Sequence, residues 1–117
     1  MESIRVRRVA ELLKQEIAVI LANGVNDSRV HDAVITGVKV TADLSMARVY
    51  FSSYNRKSLK DLEIGLSKSK GFIRQKLMAS VRLRKLPQLT FVRDDTLDEA
   101  ERLDKIFRQI GLSSDNP

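Results

Sequence analysis

The sequence predicts an α+β fold in which helices cover a three-stranded sheet, and three observations carry that reading. Apolar residues recur at helical spacing near both ends and in the middle of the chain. Two runs of strict alternation, Ala33 to Thr41 and Ala47 to Ser52, are joined by a spacer short enough for a hairpin. A third alternating run follows Pro87, so the predicted order is helix, strand, strand, helix, helix, strand, helix.

The first helix is expected from about Ser3 to Leu21, with Val6, Val9, Ala10, Leu13, Ile17, Ile20 and Leu21 forming its buried stripe. Asn23 and Gly24 tolerate the left-handed conformation that commonly ends a helix. In the first strand Val34, Thr36, Val38 and Val40 are assigned to one face, and Ile35, Gly37, Lys39 and Thr41 to the other. Gly37 marks a bulge or a close backbone approach. The second strand sets Ala47, Val49 and Phe51 against Arg48, Tyr50 and Ser52.

Ser58 with Asp61 resembles a helix-capping pair, and Leu59, Leu62 and Leu66 supply the inner face of the next helix. Gly71 breaks the pattern and Phe72-Ile73 restarts it, which predicts two helices meeting at a kink at Ser69-Lys70-Gly71. The second of them buries Ile73, Leu77 and Val81. Pro87 suits the start of a strand in which Leu89 and Phe91 alternate with Thr90 and Val92. Thr96 and Glu99 form a capping box for a last helix burying Leu97, Ala100, Leu103, Phe107 and Ile110. The expected organisation is one domain over residues 1–112 and a frayed tail over 113–117.

The chain has 117 residues, a hydrophobic fraction of 43%, a net charge of +6 and no cysteine, which excludes disulfides and thiolate metal sites. Neither an apolar leader core nor a run of about 18 apolar residues occurs, so a cytoplasmic protein without a membrane partner is expected. The charge is uneven. Residues 94–117 hold seven acids against Arg102, Lys105 and Arg108, so the preceding residues carry the whole positive excess.

Its densest part lies between Lys68 and Lys85, where Lys68, Lys70, Arg74, Lys76, Arg82, Arg84 and Lys85 occur with no acid among them. On helix geometry Arg74 and Lys76 flank the buried stripe while Arg82 lies near the opposite side, so these cations spread over the surface without forming one row. Such a surface neutralises phosphates and releases counterions from any nucleic acid. Arg7 and Arg8, beside Arg5 in the first helix, form a second and weaker candidate cluster. A solvated helix face is the competing explanation for both.

Catalytic readings find little support. His31 is the only histidine and lacks the cysteines of a usual zinc set, so no metal or other cofactor is expected. Asp94-Asp95 fits a helix N-terminus better than a magnesium site. Tyr50 and Tyr54 are assigned to hairpin packing in preference to base stacking. The remaining alternatives are a general basic RNA- or DNA-binding module and a protein of anionic membrane surfaces.

Several strings, in order and at matching spacing, resemble the ribosome-binding factor A family over nearly the whole chain. They are Arg8-Val9-Ala10 and Glu16-Ile17, Val40-Thr41-Ala42-Asp43-Leu44 leading through Ala47 to Val49-Tyr50, and Gly71-Phe72-Ile73-Arg74. Leu83-Arg84-Lys85 with Pro87, and Leu89 to Phe91 followed by Asp94 and Asp95, complete the set. The resemblance implies a type II K-homology-like fold of order αββααβα. It also implies a bacterial, non-catalytic factor that binds the free 30S subunit and its 16S rRNA, aids late rRNA processing in ribosome biogenesis, and serves cold-shock adaptation; a monomer is expected, with no dimer seam evident in the sequence. Ser69-Lys70-Gly71 then stands where the family has an Ala-x-Gly kink in place of the Gly-x-x-Gly loop of other K-homology domains. Asp27-Ser28-Arg29 departs from the family's Asp-Pro-Arg. From the distribution of cations, the expected RNA-binding set is Lys68, Lys70, Arg74, Lys76, Arg82, Arg84 and Lys85, with Gly71 setting the angle between two helices and Arg7 and Arg8 extending the contact.

Overall fold

The computed structural model describes residues 3–23, 25–53 and 59–94. The expected cap at Ser58, the Thr96/Glu99 box, the last helix and the tail lie outside them.

Helix α1 spans Ile4–Asn23, and its buried residues are the seven of the predicted stripe. Ser3 caps it, because its Oγ accepts from the Val6 amide at 3.1 Å and so satisfies a backbone donor that the helix cannot. A single 3-10 turn, Ser28–Val30, follows, capped by Asp27. Asp27 also binds Arg29 through both carboxylate oxygens, and this pairing holds its carboxyl down at about 2. His31 reaches back through Nε2 to the Val25 carbonyl at 3.0 Å, which fastens the loop to the turn.

Strands β1 (Ala33–Val40) and β2 (Met46–Ser53) pair antiparallel as a hairpin. The register shifts between Ile35 and Gly37, which confirms the bulge and leaves Thr36 as the extra residue. That shift overturns the predicted faces of β1. Ile35 stands opposite Phe51, Val38 opposite Val49 and Val40 opposite Ala47, so these three share the core face. Val34 belongs to the other face, opposite Ser52. One inserted residue exchanges the two faces, because side chains alternate with a period of two.

Helix α2 runs unbroken over Leu59–Ser80, correcting the expectation of two helices meeting at Gly71. Its buried residues Leu62, Leu66, Ser69, Ile73 and Leu77 keep one phase on both sides of the glycine. An interior glycine costs a helix about 1 kcal/mol, and a continuous buried stripe offsets that cost. Nor does Gly71 permit a close approach: a Cβ there would meet nothing within 4 Å. The close approach is at Gly65, where a Cβ would lie 3.0 Å from both Arg29 Cβ and Val30 Cγ1.

Strand β3 (Gln88–Arg93) pairs parallel with β2, giving a mixed sheet in the order β1-β2-β3 with α2 as the crossover. Leu89 stands beside Ala47 and Phe91 beside Val49 on the core face. Helices and sheet close over Leu13, Ile17, Phe51, Leu66, Ile73 and Leu77. At the far end Arg93 pairs with Glu63 at 2.6 Å, linking β3 to the first turns of α2.

Candidate nucleic-acid interface

The parallel crossover decides which cations meet. Helix α2 returns the chain along residues 81–87 to the start of β3, which lies beside the start of β2. Lys70 and Arg74 sit four residues apart on the flank of α2 that faces this return. Between them and the strand ends opens a groove of about 660 Å³, lined by Ser45, Met46, Lys70, Gly71, Arg74, Lys85, Leu86, Gln88 and Leu89. Met46, though exposed, supplies an apolar lip, and Gly71 leaves the opposite wall without a side chain.

Arg74 differs from its neighbours. It is half-buried, and its Nη1 donates to the Pro87 carbonyl at 3.0 Å while Nη2 donates to the Leu86 carbonyl at 3.4 Å. Its guanidinium therefore holds the returning chain against α2, where the sequence reading had an exposed contact. Lys85 is exposed, Lys70 half-buried, and neither is ion-paired among the described residues.

Two smaller cavities extend the basic surface. One, of about 240 Å³, is lined by Arg74, Met78, Arg84 and Lys85 among others. The other, of about 200 Å³, brings Arg5 and Val9 of α1 together with Asp43, Leu44, Arg84 and Lys85. Arg5 is the cation that the sequence reading left out of its candidate set. Its spacing of four from buried Val9 was the available signal, since the two lie on one side of α1. Asp43 is held inside the hairpin loop, accepting from Thr41 Oγ1 at 2.8 Å and from the Ser45 hydroxyl and amide at 2.7 and 3.0 Å. These donors, the Ser45 hydroxyl first, lower its carboxyl to about 2. The next residue, Leu44, adopts φ 62°, a left-handed geometry that turns the loop toward the Arg5 cavity.

Five predicted residues fall outside these cavities. Lys68 and Lys76 project from the opposite flank of α2, where Lys76 Nζ lies 5.4 Å from the centre of the Phe72 ring and Lys68 is near enough to Asp27 to help lower its carboxyl. Arg82 is exposed on the returning segment, and Arg7 and Arg8 are exposed on α1. Ser69 is buried in the core stripe. The predicted set is thus split: Lys70, Gly71, Arg74, Arg84 and Lys85 converge, and the others do not.

Among the described residues no helix is long and apolar enough to cross a membrane. No group of three or more His, Asp or Glu residues among them could hold a metal ion.

A family model described as ribosome-binding factor A matches residues 5–107. The chain belongs to the ribosome-binding factor A family. A ribosome-binding factor A from Pelobacter propionicus is 36% identical over 97% of this chain and 93% of its own length. The crystal structure of ribosome-binding factor A from Thermus thermophilus aligns with a TM-score of 0.68 at 23% identity, covering 75% of this chain and 94% of that one. A Thermus thermophilus ribosome binding factor A homology model, fitted into the cryo-EM map of a 30S complex, aligns at 0.58 with 22% identity, covering 80% and 96%. At these scores both share the overall fold of this chain.

Proposed function

We propose that this ribosome-binding factor A family member is a non-catalytic assembly factor that binds the free small ribosomal subunit. Its ligand is 16S rRNA or a precursor of it, and the bound protein restrains an RNA conformation late in maturation, including during growth in the cold. It works in the cytoplasm as a monomer, through a single type II K-homology-like domain. The observation that carries this reading is the convergence of Lys70, Arg74 and Lys85 on one open groove, with Arg84 lining the adjoining cavity, in a family whose relative is fitted to a 30S complex.

The groove suits a phosphate backbone. Lys70 and Lys85 line it as point charges, Gly71 adds no side chain to its wall, and Arg74 ties that wall to the returning chain. No covalent step is required. If about four phosphates are neutralised, log affinity falls against log salt with a slope of about −3 to −4.

Cosedimentation with isolated small subunits, large subunits and assembled ribosomes across a salt series tests this. Preference for free small subunits with that slope supports it. Equal retention by duplex DNA and small subunits would instead indicate a general basic module, and a slope near zero would remove phosphate contacts from the mechanism.

A further inference from the structure

The sheet carries cations on its other face as well. Lys39 of β1 stands directly opposite Arg48 of β2, and Arg48 stands beside Thr90 of β3. All three are exposed, and they form a row across the sheet on the side away from Ala47, Val49 and Leu89. Neither Lys39 nor Arg48 is ion-paired among the described residues, although Lys39 Nζ lies 5.9 Å from the centre of the Tyr50 ring.

Like charges directly opposite on neighbouring strands destabilise a sheet. A lysine on edge strand β1 has its own explanation, since it discourages pairing with another chain. Arg48 does not, because β2 is the central strand and has no free edge. Among the described residues on this side, Asp94 accepts a hydrogen bond from Thr36 and lines a cavity with Lys39 and Tyr50, at the β1 end of the row. Arg48, on the central strand, lies outside that cavity. Asp43, in the adjoining loop, is held by Thr41 and Ser45.

We infer that Lys39 and Arg48 form a second phosphate-binding surface for ribosomal RNA, on the opposite face of the sheet from the Lys70/Lys85 groove. The bound backbone offsets the repulsion between the two cations, and Thr90 offers its hydroxyl as a further donor. This inference rests on the small-subunit reading and extends it, because RNA then meets the open face of the sheet as well as the groove beside α2.

The test compares Lys39→Gln/Arg48→Gln, Lys70→Gln/Lys85→Gln and the unaltered protein in cosedimentation with small subunits across salt. The sheet-face variant is expected to bind more weakly, with a salt slope shallower by about one per cation. Its thermal midpoint should be unchanged or higher, since the substitutions remove a repulsive pair. Arg48→Lys, which keeps the charge, should retain binding. Fe-EDTA tethered to Thr90→Cys, feasible because the chain has no cysteine, should cleave rRNA. Unchanged affinity and slope in the sheet-face variant, with weakened binding in the groove variant, overturns this inference and leaves the groove reading intact. If neither variant weakens binding, cationic RNA contact fails at both places.

Discussion

The guanidinium of Arg74 donates to the carbonyl of Pro87 at 3.0 Å, so a residue of α2 anchors the first turn of chain before β3. Charge-assisted hydrogen bonds of this kind contribute about 1.5 to 3 kcal/mol when well shielded. This one is only partly shielded. Arg74→Ala should therefore cost about 1 to 2 kcal/mol in urea denaturation, whereas Lys70→Ala and Lys85→Ala should stay within about 0.5 kcal/mol. Small-subunit binding should weaken in all three. An Arg74 variant as stable as the parent would show that the anchor is dispensable.

Helix α2 contains two glycines with opposite requirements. Gly71→Ala adds a methyl group into open space and should raise stability by up to about 1 kcal/mol. Gly65→Ala gains the same propensity but forces its methyl against Arg29 and Val30, and packing strain of about 1 to 3 kcal/mol should leave it less stable. Thermal melts of the two variants should move in opposite directions. A loss of stability at Gly71→Ala would restore a conformational role for that glycine.

Ser28 opens the 3-10 turn, and its amide makes no hydrogen bond among the described residues. The preceding Asp27 has φ −83° and ψ 111°, an extended geometry that a following proline favours. Ser28→Pro should therefore stabilise the fold by about 0.4 to 1 kcal/mol, mainly by restricting the unfolded chain. Retention of the Asp27–Arg29 pair, read from the Asp27 titration by NMR, checks that the turn is preserved.

Asp27 and Asp43 both titrate at about 2, below the ordinary 3.8. A carboxyl with a depressed folded value binds its proton more readily when unfolded. Its contribution to stability is complete above the unfolded value and disappears as pH falls toward the folded one. The parent should lose this contribution between about pH 4 and pH 2, and Asp43→Asn should show a flatter stability profile across that window. Parallel acid profiles would place Asp43 outside the loop network.

Much of the fold was legible because the signals are local. The stripe of α1, the hairpin, the bulge at Gly37 and the strand after Pro87 each follow from spacing and residue type within a few positions. The consequence of the bulge for Val34 and Ile35 also followed from those positions, but only once Thr36 was counted as an insertion. At Gly71 a local rule misled, because helix propensity was weighed without the phase of Leu66, Ser69 and Ile73. Small, polar Ser69 hid that phase by occupying a core position.

From the sequence alone came the strands, the first helix, the excess of positive charge and the family resemblance, all of which depend on near neighbours or on ordered strings. Which cations share a surface was decided by tertiary structure. Lys70 and Lys85 meet because α2 crosses over to lay β3 parallel to β2, and Arg5 joins Arg84 because α1 packs against the returning chain. Proximity between distant residues is set by how buried faces stack, and the periodicity of a single element does not record which element will lie against it.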